Sequence, residues 1–237
     1  MFIKDKLQYF NKIQLKIMNP ETDFSIRSFL GGYDKNFTYL ITCSRTGTQA
    51  IVDAAIDTSE ITQFLRHDPA AILITHGHSD HIAYLDNYMN EYPGATILGH
   101  PDSKLKERYP NFKKVGDNQE FIIGKMRFKC FHTPGHFFDS ICYNISPVLF
   151  TGDTMFVGRT GRIKGKNSNI EDLYDSVYNK ILKMPGSIKI FPGHDYGERP
   201  NTTLEENILN SPLLNAKNLD DFKKRMDDYE KNRNIGS

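Results

Sequence analysis

Four side chains that can bind a metal ion lie within six positions of one another, at His76, His78, Asp80 and His81. Imidazole nitrogens bind zinc and iron, and an added carboxylate is typical of a hydrolytic or oxygen-activating centre. The apolar residues 72–74 come directly before them and predict a buried strand, whose rigid end can hold ligands accurately. A single histidine is more often a packed or surface residue, but four such groups at this spacing predict a metal site.

Three further candidate ligands follow other apolar segments of the chain. His136 ends an H-T-P-G-H segment, Asp153 ends a T-G-D segment, and His194 ends a P-G-H segment. Each segment alone is weak evidence, because an aspartate after glycine is more often a turn residue. If the preceding strands are neighbours, however, their ends meet at one edge and the ligands converge. Spacing alone leaves open whether His132 or His136 is the ligand of its segment.

Composition narrows the classes of protein that are possible. The chain has 237 residues and a net charge of +1. It is long enough for one large domain or two small ones, and its charge argues against binding nucleic acid by neutralising phosphates. No apolar run approaches a membrane helix, and residues 1–18 lack the apolar core of a secretory signal. The three cysteines show no metal-binding spacing, so we expect reduced core thiols in a cytoplasmic protein.

The predicted elements are runs of strands separated by helices. Glycine-containing turns between short apolar segments predict hairpins, and therefore two sheets covered by helices instead of one doubly wound parallel sheet. Apolar residues at Ile82, Leu85 and Met89 predict a helix that starts at His81. Residues 101–118 are polar and are predicted to form a loop. Ser168 and Glu171 are spaced as a capping box for a later helix.

The order of these motifs, T-H-x-H-x-D-H, T-P-G-H, F-T-G-D-T and P-G-H-D-Y, resembles the metallo-β-lactamase superfamily. Within it, the motifs are most similar to the branch of glyoxalase II (hydroxyacylglutathione hydrolase) and persulfide dioxygenase. The resemblance runs from Asn36 to the C-terminal helices. It implies an α/β protein with an αββα sandwich, in which two mixed β-sheets are flanked by helices. We expect residues 1–237 to form a single domain with a short C-terminal helical tail.

The resemblance also assigns roles to individual residues. It implies one metal site formed by His76, His78 and His136, a second formed by Asp80, His81 and His194, and a bridging ligand, Asp153. It selects His136 as the ligand, with His132 as a neighbour. Asp53 matches an aspartate that supports the metal site from outside the ligands. Arg162 and Tyr196 match substrate-binding positions, and the alternative interpretations are a solvated basic loop for Arg162 and a packed aromatic ring for Tyr196.

Two activities are compatible with this ligand set. The first is hydrolysis of a thioester such as an S-acylglutathione by two divalent metal ions, either zinc or iron or manganese, with Asp80 orienting the nucleophile. The alternative is a persulfide dioxygenase that oxidises glutathione persulfide with a single Fe(II) held by His76, His136 and Asp153. Both imply a small thiol-derived, glutathione-like substrate and neither a nucleic acid nor a membrane partner. The oligomeric state is open, a homodimer included.

Other features of the sequence divide between these two activities. The segment after Asp153 resembles glyoxalase II, whereas residues 173–177 and 202–207 resemble the dioxygenase. The tail after His194 is shorter than the substrate domain of glyoxalase II, so a less selective hydrolase is a further alternative. Phe137 and Asp139 replace a threonine and a glycine of several relatives, which predicts an altered pocket beside His136. A β-lactamase or a ribonuclease of the superfamily fits the sequence less well.

Overall fold

A computed structural model describes residues 23–233. The first sheet has six strands in the order β1 to β6. Strands β1 to β3 are antiparallel, whereas β3 to β6 are parallel. The strands are β1 (Phe24–Gly31), β2 (Asn36–Cys43), β3 (Gln49–Val52), β4 (Ala71–Leu73), β5 (Thr96–Gly99) and β6 (Phe112–Lys114).

The second sheet also has six strands, in the order β14-β13-β10-β9-β8-β7. Only the β10–β13 pair is parallel, so this sheet is mixed as well. The strands are β7 (Glu120–Ile123), β8 (Met126–His132), β9 (Ile141–Ile145), β10 (Val148–Gly152), β13 (Lys189–Pro192) and β14 (Thr202–Thr203). A small hairpin of β11 (Met155–Phe156) and β12 (Arg159–Thr160) lies between β10 and β13 in the chain.

Helices cover the outer face of each sheet. The α-helices of the described residues are α1 (Thr58–Thr62), α2 (Leu85–Glu91), α3 (Leu105–Arg108), α4 (Ile170–Tyr174), α5 (Leu204–Asn210) and α6 (Leu219–Arg233). Helix α4 continues as a π-helical turn (Asp175–Lys180) and a 3₁₀ turn (Ile181–Lys183), and a second 3₁₀ turn (Pro212–Leu214) follows α5. None of the helices in residues 23–233 combines the length and apolar character that crossing a membrane would require.

Three layers of apolar side chains hold the sheets and helices together. The central layer lies between the sheets, where Tyr39 of β2 contacts the rings of Phe150 and Phe191 at 5.2 and 5.5 Å. A second layer packs Leu85 and its neighbours against the first sheet, and a third packs Phe222 and its neighbours against the second sheet. Strands that are apolar on both faces must be covered on both sides. The predicted αββα sandwich of two mixed sheets is therefore confirmed.

Two sheet-to-sheet contacts position the edge where the candidate ligands lie. The residues Asn36 and His194 form an isolated antiparallel bridge, and the Phe37 amide donates to the Gly193 carbonyl at 2.8 Å. On the other side, the buried hydroxyl of Tyr143 donates to the Ile74 carbonyl at 2.9 Å. The loops that follow β4 and β13 are thus fixed to the opposite sheet. The three cysteines are buried free thiols, as predicted from the sequence.

Three local predictions are wrong. Residues 101–118 contain α3 and the edge strand β6, because Leu105 and Tyr109 are buried under the first sheet's helices and β6 pairs with β5. The helix predicted from His81 begins only at Leu85, since the backbone of His81 and Tyr84 is bonded to Ala54. The capping box at Ser168 is also absent.

The N-cap of α4 is instead Asn169, whose side chain accepts the Asp172 amide at 3.0 Å. The Ser168 hydroxyl donates to the Gly165 carbonyl, so it is occupied outside the helix. The prediction of one domain over residues 1–237 extends beyond the described residues at both ends and stays a prediction.

Candidate metal centre

The seven predicted metal ligands meet at one edge of the sandwich. They come from four segments, each directly following or near the end of a strand: residues 76–81 after β4, His136 after β8, Asp153 after β10 and His194 after β13. Their ligand atoms form two clusters, each with all of its atoms within 4.8 Å of one another. The seven side chains therefore converge at one edge, as expected from the strands that precede them. The role of each residue as a ligand stays a prediction.

The first cluster contains three imidazoles and one carboxylate. His76 Nε2 and His78 Nδ1 are 2.9 Å apart, and His136 Nε2 lies 3.1 Å from the same His78 nitrogen. Asp153 Oδ2 lies 3.3 Å from His136 Nε2. The group His76, His78 and His136 matches the first site that the family resemblance implied.

The second cluster contains two imidazoles and the carboxylate of Asp80. His81 Nε2 and His194 Nε2 are 3.1 Å apart, and Asp80 Oδ2 lies 3.3 Å from the His194 nitrogen. Asp153 also faces this cluster, with Oδ1 at 3.2 Å from His81 and Oδ2 at 3.3 Å from His194. Asp153 therefore lies between the two clusters, where a bridging ligand would be.

The donor set fits metal ions better than it fits a hydrogen-bond network. Two imidazole nitrogens at hydrogen-bond distance need one proton between them. Three such pairs occur here, and two of them use the same nitrogen, His78 Nδ1. Within residues 23–233, the buried Oδ1 of Asp153 lies 3.2 Å from His81 Nε2 but forms no hydrogen bond, and a buried carboxylate oxygen without a hydrogen bond is costly. Divalent cations would satisfy this oxygen and the converging nitrogens together.

Burial and charge divide the histidines into two groups. Burial lowers the pKa of His76 well below its usual value and that of His78 to about 4, helped by the neighbouring histidines. Burial also disfavours a charge on His194, but hydrogen bonds to Asp153 and Asp80 outweigh it and raise the pKa to about 9. The carboxylates of Asp153 and Asp53 likewise raise the pKa of His81 well above the usual value, against its burial.

The buried Asp53 contacts the second cluster from behind. Its Oδ2 accepts hydrogen bonds from His81 Nδ1 and the Thr75 hydroxyl, both at 2.8 Å, and its Oδ1 accepts the Thr75 amide at 2.8 Å. Its φ of 58° lies in the left-handed region, which aspartate tolerates better than most residues. Asp53 thus fixes the His81 ring with Nε2 facing the cluster, which is the geometry of the predicted supporting role.

Two residues to which the sequence assigned no role orient other ligands. The fully buried Asn36 donates from Nδ2 to Asp80 Oδ2 at 2.8 Å. Asp34 accepts a hydrogen bond from His194 Nδ1 through its backbone carbonyl, at 2.8 Å. Asn36 opens the segment where the family resemblance begins, which was the one signal available. The contact of the Asn36 side chain with Asp80, 44 residues later in the chain, could not be predicted from the sequence.

Phe137 and Asp139, where the sequence differs from several relatives, lie against the first cluster and the loop that carries it. The Phe137 ring lies 4.3 Å from the His78 ring, so an apolar wall flanks this ligand. Asp139 is 3% exposed, and its Oδ1 accepts the amide of Gly77 at 3.0 Å. Gly77 separates the two ligands His76 and His78. Asp139 therefore holds the backbone of the loop that carries two candidate ligands.

Close packing at the centre requires glycine at two positions. A Cβ on Gly193, next to His194, would overlap Asp153 Oδ1 and the His81 ring. A Cβ on Gly161 would overlap the Asp153 carbonyl and touch the Cβ of His136 at 3.0 Å. Any larger residue at these positions would displace the ligands.

The structure distinguishes His132 from His136. His136 Nδ1 donates to the Arg162 carbonyl at 2.9 Å and its Nε2 faces the first cluster. His132 belongs to neither cluster, because its ring stacks on His100 at 4.0 Å and its Nε2 bonds to the Phe138 carbonyl. This arrangement agrees with the choice of His136 that the resemblance made.

The two predicted substrate residues have different surroundings. The guanidinium of Arg162 forms a bidentate ion pair with Glu230, with both contacts at 3.1 Å. The ring of Tyr196 is parallel to that of His194, with centroids 4.7 Å apart, and its hydroxyl donates to the Asp34 carboxylate. Tyr196 is thus beside the second cluster, whereas Arg162 is engaged by the C-terminal helix α6. Substrate binding by either residue stays a prediction.

Comparison with known proteins identifies related sequences and folds. A family model described as the metallo-beta-lactamase superfamily matches residues 31–194. A hydroxyacylglutathione hydrolase of Francisella tularensis subsp. novicida is 33% identical, over 72% of this chain and 67% of that protein. A probable polyketide biosynthesis zinc-dependent hydrolase of Bacillus velezensis, BaeB, is 28% identical, over 79% and 85%. The crystal structure of ETHE1 from Myxococcus xanthus has a TM-score of 0.75 and 27% identity, over 85% and 89%.

Proposed function

The chain belongs to the metallo-beta-lactamase superfamily, and on that premise we propose that it is a hydrolase with two divalent metal ions that cleaves a thioester. Zinc, iron and manganese all suit the ligand set. The substrate we propose is an S-acylglutathione or a similar acyl thioester of a small thiol. The position of Asp153 carries the proposal, since its carboxylate faces both clusters at 3.2 to 3.3 Å.

Divalent metal ions held by these residues would supply a bound water of lowered pKa and would polarise the carbonyl of a thioester. The protein's own residues would then position the reacting groups. Asn36 holds one oxygen of Asp80 at 2.8 Å, which leaves the other carboxylate oxygen to orient an attacking water. Asp53 and Asp34 hold His81 and His194 against rotation. Such preorganisation lowers the cost of reaching the transition state.

The choice of a thioester rests on relatives and on the surroundings of the centre. A relative named hydroxyacylglutathione hydrolase is 33% identical to this chain, so a glutathione thioester is the first candidate. The relative named as a zinc-dependent hydrolase of polyketide biosynthesis supports hydrolysis without specifying glutathione. Phe137 beside His78 provides an apolar wall that would suit an acyl chain.

A second candidate function uses the first cluster alone. His76, His136 and Asp153 could hold one Fe(II) as two histidines and one carboxylate, an arrangement that leaves positions for oxygen and a persulfide sulfur. The observation that favours it is that the first cluster is complete without Asp80, His81 and His194. We therefore keep a glutathione persulfide dioxygenase as the alternative.

Metal content and a single variant separate the two functions. The hydrolase predicts about two metal ions per chain by elemental analysis of protein from unsupplemented cells, with turnover of acyl thioesters. The dioxygenase predicts about one iron per chain, with oxygen uptake on glutathione persulfide. His194→Ala removes a ligand of the second cluster only. We expect it to lose one metal ion and most thioester turnover. Retention of full activity with a single iron would overturn the hydrolase proposal.

A further inference from the structure

A cavity of about 700 Å³ lies next to the metal centre, between the β11–β12 hairpin, the loop after His194 and helices α5 and α6. Tyr196 forms part of its wall and stacks on the candidate ligand His194. Arg159 forms another part of the wall. We propose that this cavity binds the negatively charged group of the substrate's thiol carrier through Arg159. The inference rests on the proposed thioester hydrolysis and adds where the carrier is held.

The charges of the cavity wall leave Arg159 available for an anion. Four charged side chains line the cavity, and two of them, Arg199 and Glu206, pair with each other at 3.2 Å. Glu198 is exposed to solvent at the rim. Within the part of the chain that the structure describes, Arg159 forms no ion pair, and its buried Nε has no hydrogen-bond partner. A half-buried guanidinium without a counter-charge is unfavourable, and a ligand carboxylate or phosphate would supply that charge.

Aromatic rings hold the Arg159 side chain in place. Its guanidinium carbon lies 4.1 Å from the Tyr196 ring centroid, and the rings of Phe156 and Tyr229 are 5.5 and 6.0 Å away. Nη1 donates to the Tyr229 hydroxyl at 2.6 Å. Ring faces stabilise a cation but accept none of the N–H bonds in the guanidinium plane. The stacked guanidinium is therefore fixed in position and retains donors for an oxyanion.

Arg159 and Arg162 form different contacts with helix α6. Arg162 is neutralised by the Glu230 carboxylate, with two contacts of 3.1 Å. Arg159 receives only the hydroxyl of Tyr229, the preceding residue of the same helix. Within the described residues, Arg159 is consequently the cation of the cavity wall that has no carboxylate partner, because Arg199 is paired with Glu206. We infer that Arg159, more than Arg162, selects the anionic carrier.

The ligand class follows from what a thioester hydrolase must accommodate. The thioester has to reach the metal clusters, so the occupant of the neighbouring cavity is the far end of the thiol. A carboxylate of glutathione and the phosphate of a phosphopantetheine arm both match a guanidinium. A neutral thiol would gain nothing from Arg159.

The test compares one acyl group on three thiols: glutathione, pantetheine 4′-phosphate and the neutral N-acetylcysteamine. Arg159→Met keeps the aliphatic bulk and removes the charge. In the metal-loaded enzyme we expect KM for at least one anionic carrier to rise about tenfold, the value of one charge-assisted contact, with kcat and the neutral substrate unchanged. Whichever anionic carrier responds identifies the source of the anion. Arg127→Met, an exposed arginine of the β7–β8 hairpin paired with Glu120, is the matched control and should change nothing.

Three outcomes would overturn the inference. They are equal changes for neutral and anionic carriers, no change for either anionic carrier, and a larger effect of Arg162→Met than of Arg159→Met. If Arg159→Met does not fold, Arg159→Lys replaces it. Lysine cannot form the bidentate contact, so a rise in KM of a few fold, confined to anionic carriers, is expected.

A binding measurement separates this inference from the proposed function. Calorimetry with S-methylglutathione and S-methyl pantetheine 4′-phosphate requires no turnover. If the enzyme hydrolyses no thioester but binds one of these thioethers about tenfold more weakly after Arg159→Met, the proposed function fails and the anion site stands. If neither thioether binds the unaltered enzyme, the anion site is overturned.

Discussion

The two ligand clusters share Asp153 but are held in place by different kinds of contact. In the first cluster, His136 bonds to a backbone carbonyl, and the loop of His76 and His78 is fixed through the Gly77 amide. In the second cluster, His194 likewise bonds to a backbone carbonyl, but the side chains of Asp53 and Asn36 hold His81 and Asp80 directly. The partner residues of the second cluster lie 28 and 44 positions away in the chain. Its metal affinity can therefore change without any change of ligand.

The difference also concerns charge. In the first cluster, the pKa values of His76 and His78 are low because these imidazoles are buried beside other histidines. The second pairs each imidazole with carboxylates, which outweigh burial and raise the pKa of His194 to about 9. Neutral imidazoles are ready to bind a cation, whereas a histidine that prefers its proton must release it first.

Replacing a ligand of the first cluster is the largest expected effect. His136→Ala removes a nitrogen of the cluster, so the metal content should fall. Activity should decrease by more than about a hundredfold, because loss of a ligand costs more than loss of a residue that only supports a ligand. His132→Ala is the matched control, because His132 is four residues away and bonds elsewhere. Elemental analysis and steady-state kinetics measure both. A greater loss in His132→Ala would reverse the assignment.

Removing the carboxylate behind the second cluster should give the next largest effect. Asp53→Asn keeps a residue that tolerates positive φ but loses the charge that orients His81. We expect roughly 10- to 100-fold weaker binding of one metal ion and no change for the other. Metal titration of the protein measures the two affinities separately. Asp57→Asn, at the N-cap of α1, serves as the control. Equal weakening of both sites would contradict the division into two clusters.

The contact of Asp139 with Gly77 should matter less, and only to the first cluster. Asp139→Ala removes the acceptor of the half-buried Gly77 amide, and we expect about tenfold weaker metal binding there. Asp139→Asn retains an oxygen that can accept this hydrogen bond and should restore most of the affinity. The visible spectrum of the Co(II)-substituted protein reports the geometry around the ligands. If the asparagine variant behaves like the alanine variant, the hydrogen bond is not the cause.

The last expected effect concerns folding stability instead of metal binding, at the pair of histidines outside both clusters. Burial and the stacked His132 lower the pKa of His100 to about 4, so the unfolded chain binds a proton that the folded protein excludes. Stability is therefore lost as pH falls from about 6.5 towards 4, by at most about 1.4 kcal/mol per pH unit for this group. His100→Asn should reduce this slope in urea unfolding, relative to the unaltered protein. An unchanged slope would show that His100 does not contribute.

Much of the centre was readable from the sequence because each ligand follows an apolar strand. His76, His78, Asp80 and His81 lie in one motif, and the strands before Asp153 and His194 are short and buried. The local errors have a physical cause as well. The segment from His81 to Tyr84 has a helical pattern, but its backbone bonds to Ala54 instead. Leu105 and Tyr109 lie in a segment of mostly polar residues, and they are buried because they pack in the apolar layer between the first sheet and its helices.

Residue types and their order along the chain determined the αββα architecture of this protein. They also determined which seven side chains could bind metals. Only the tertiary structure decided how they are supported and what surrounds them. Asn36 reaches Asp80, Asp139 reaches Gly77, and Arg159 rather than Arg162 is left without a carboxylate. Local patterns record which strands and helices a segment can form. Contacts between distant segments depend on how the two sheets pack, because a side chain's partner is chosen by position in space.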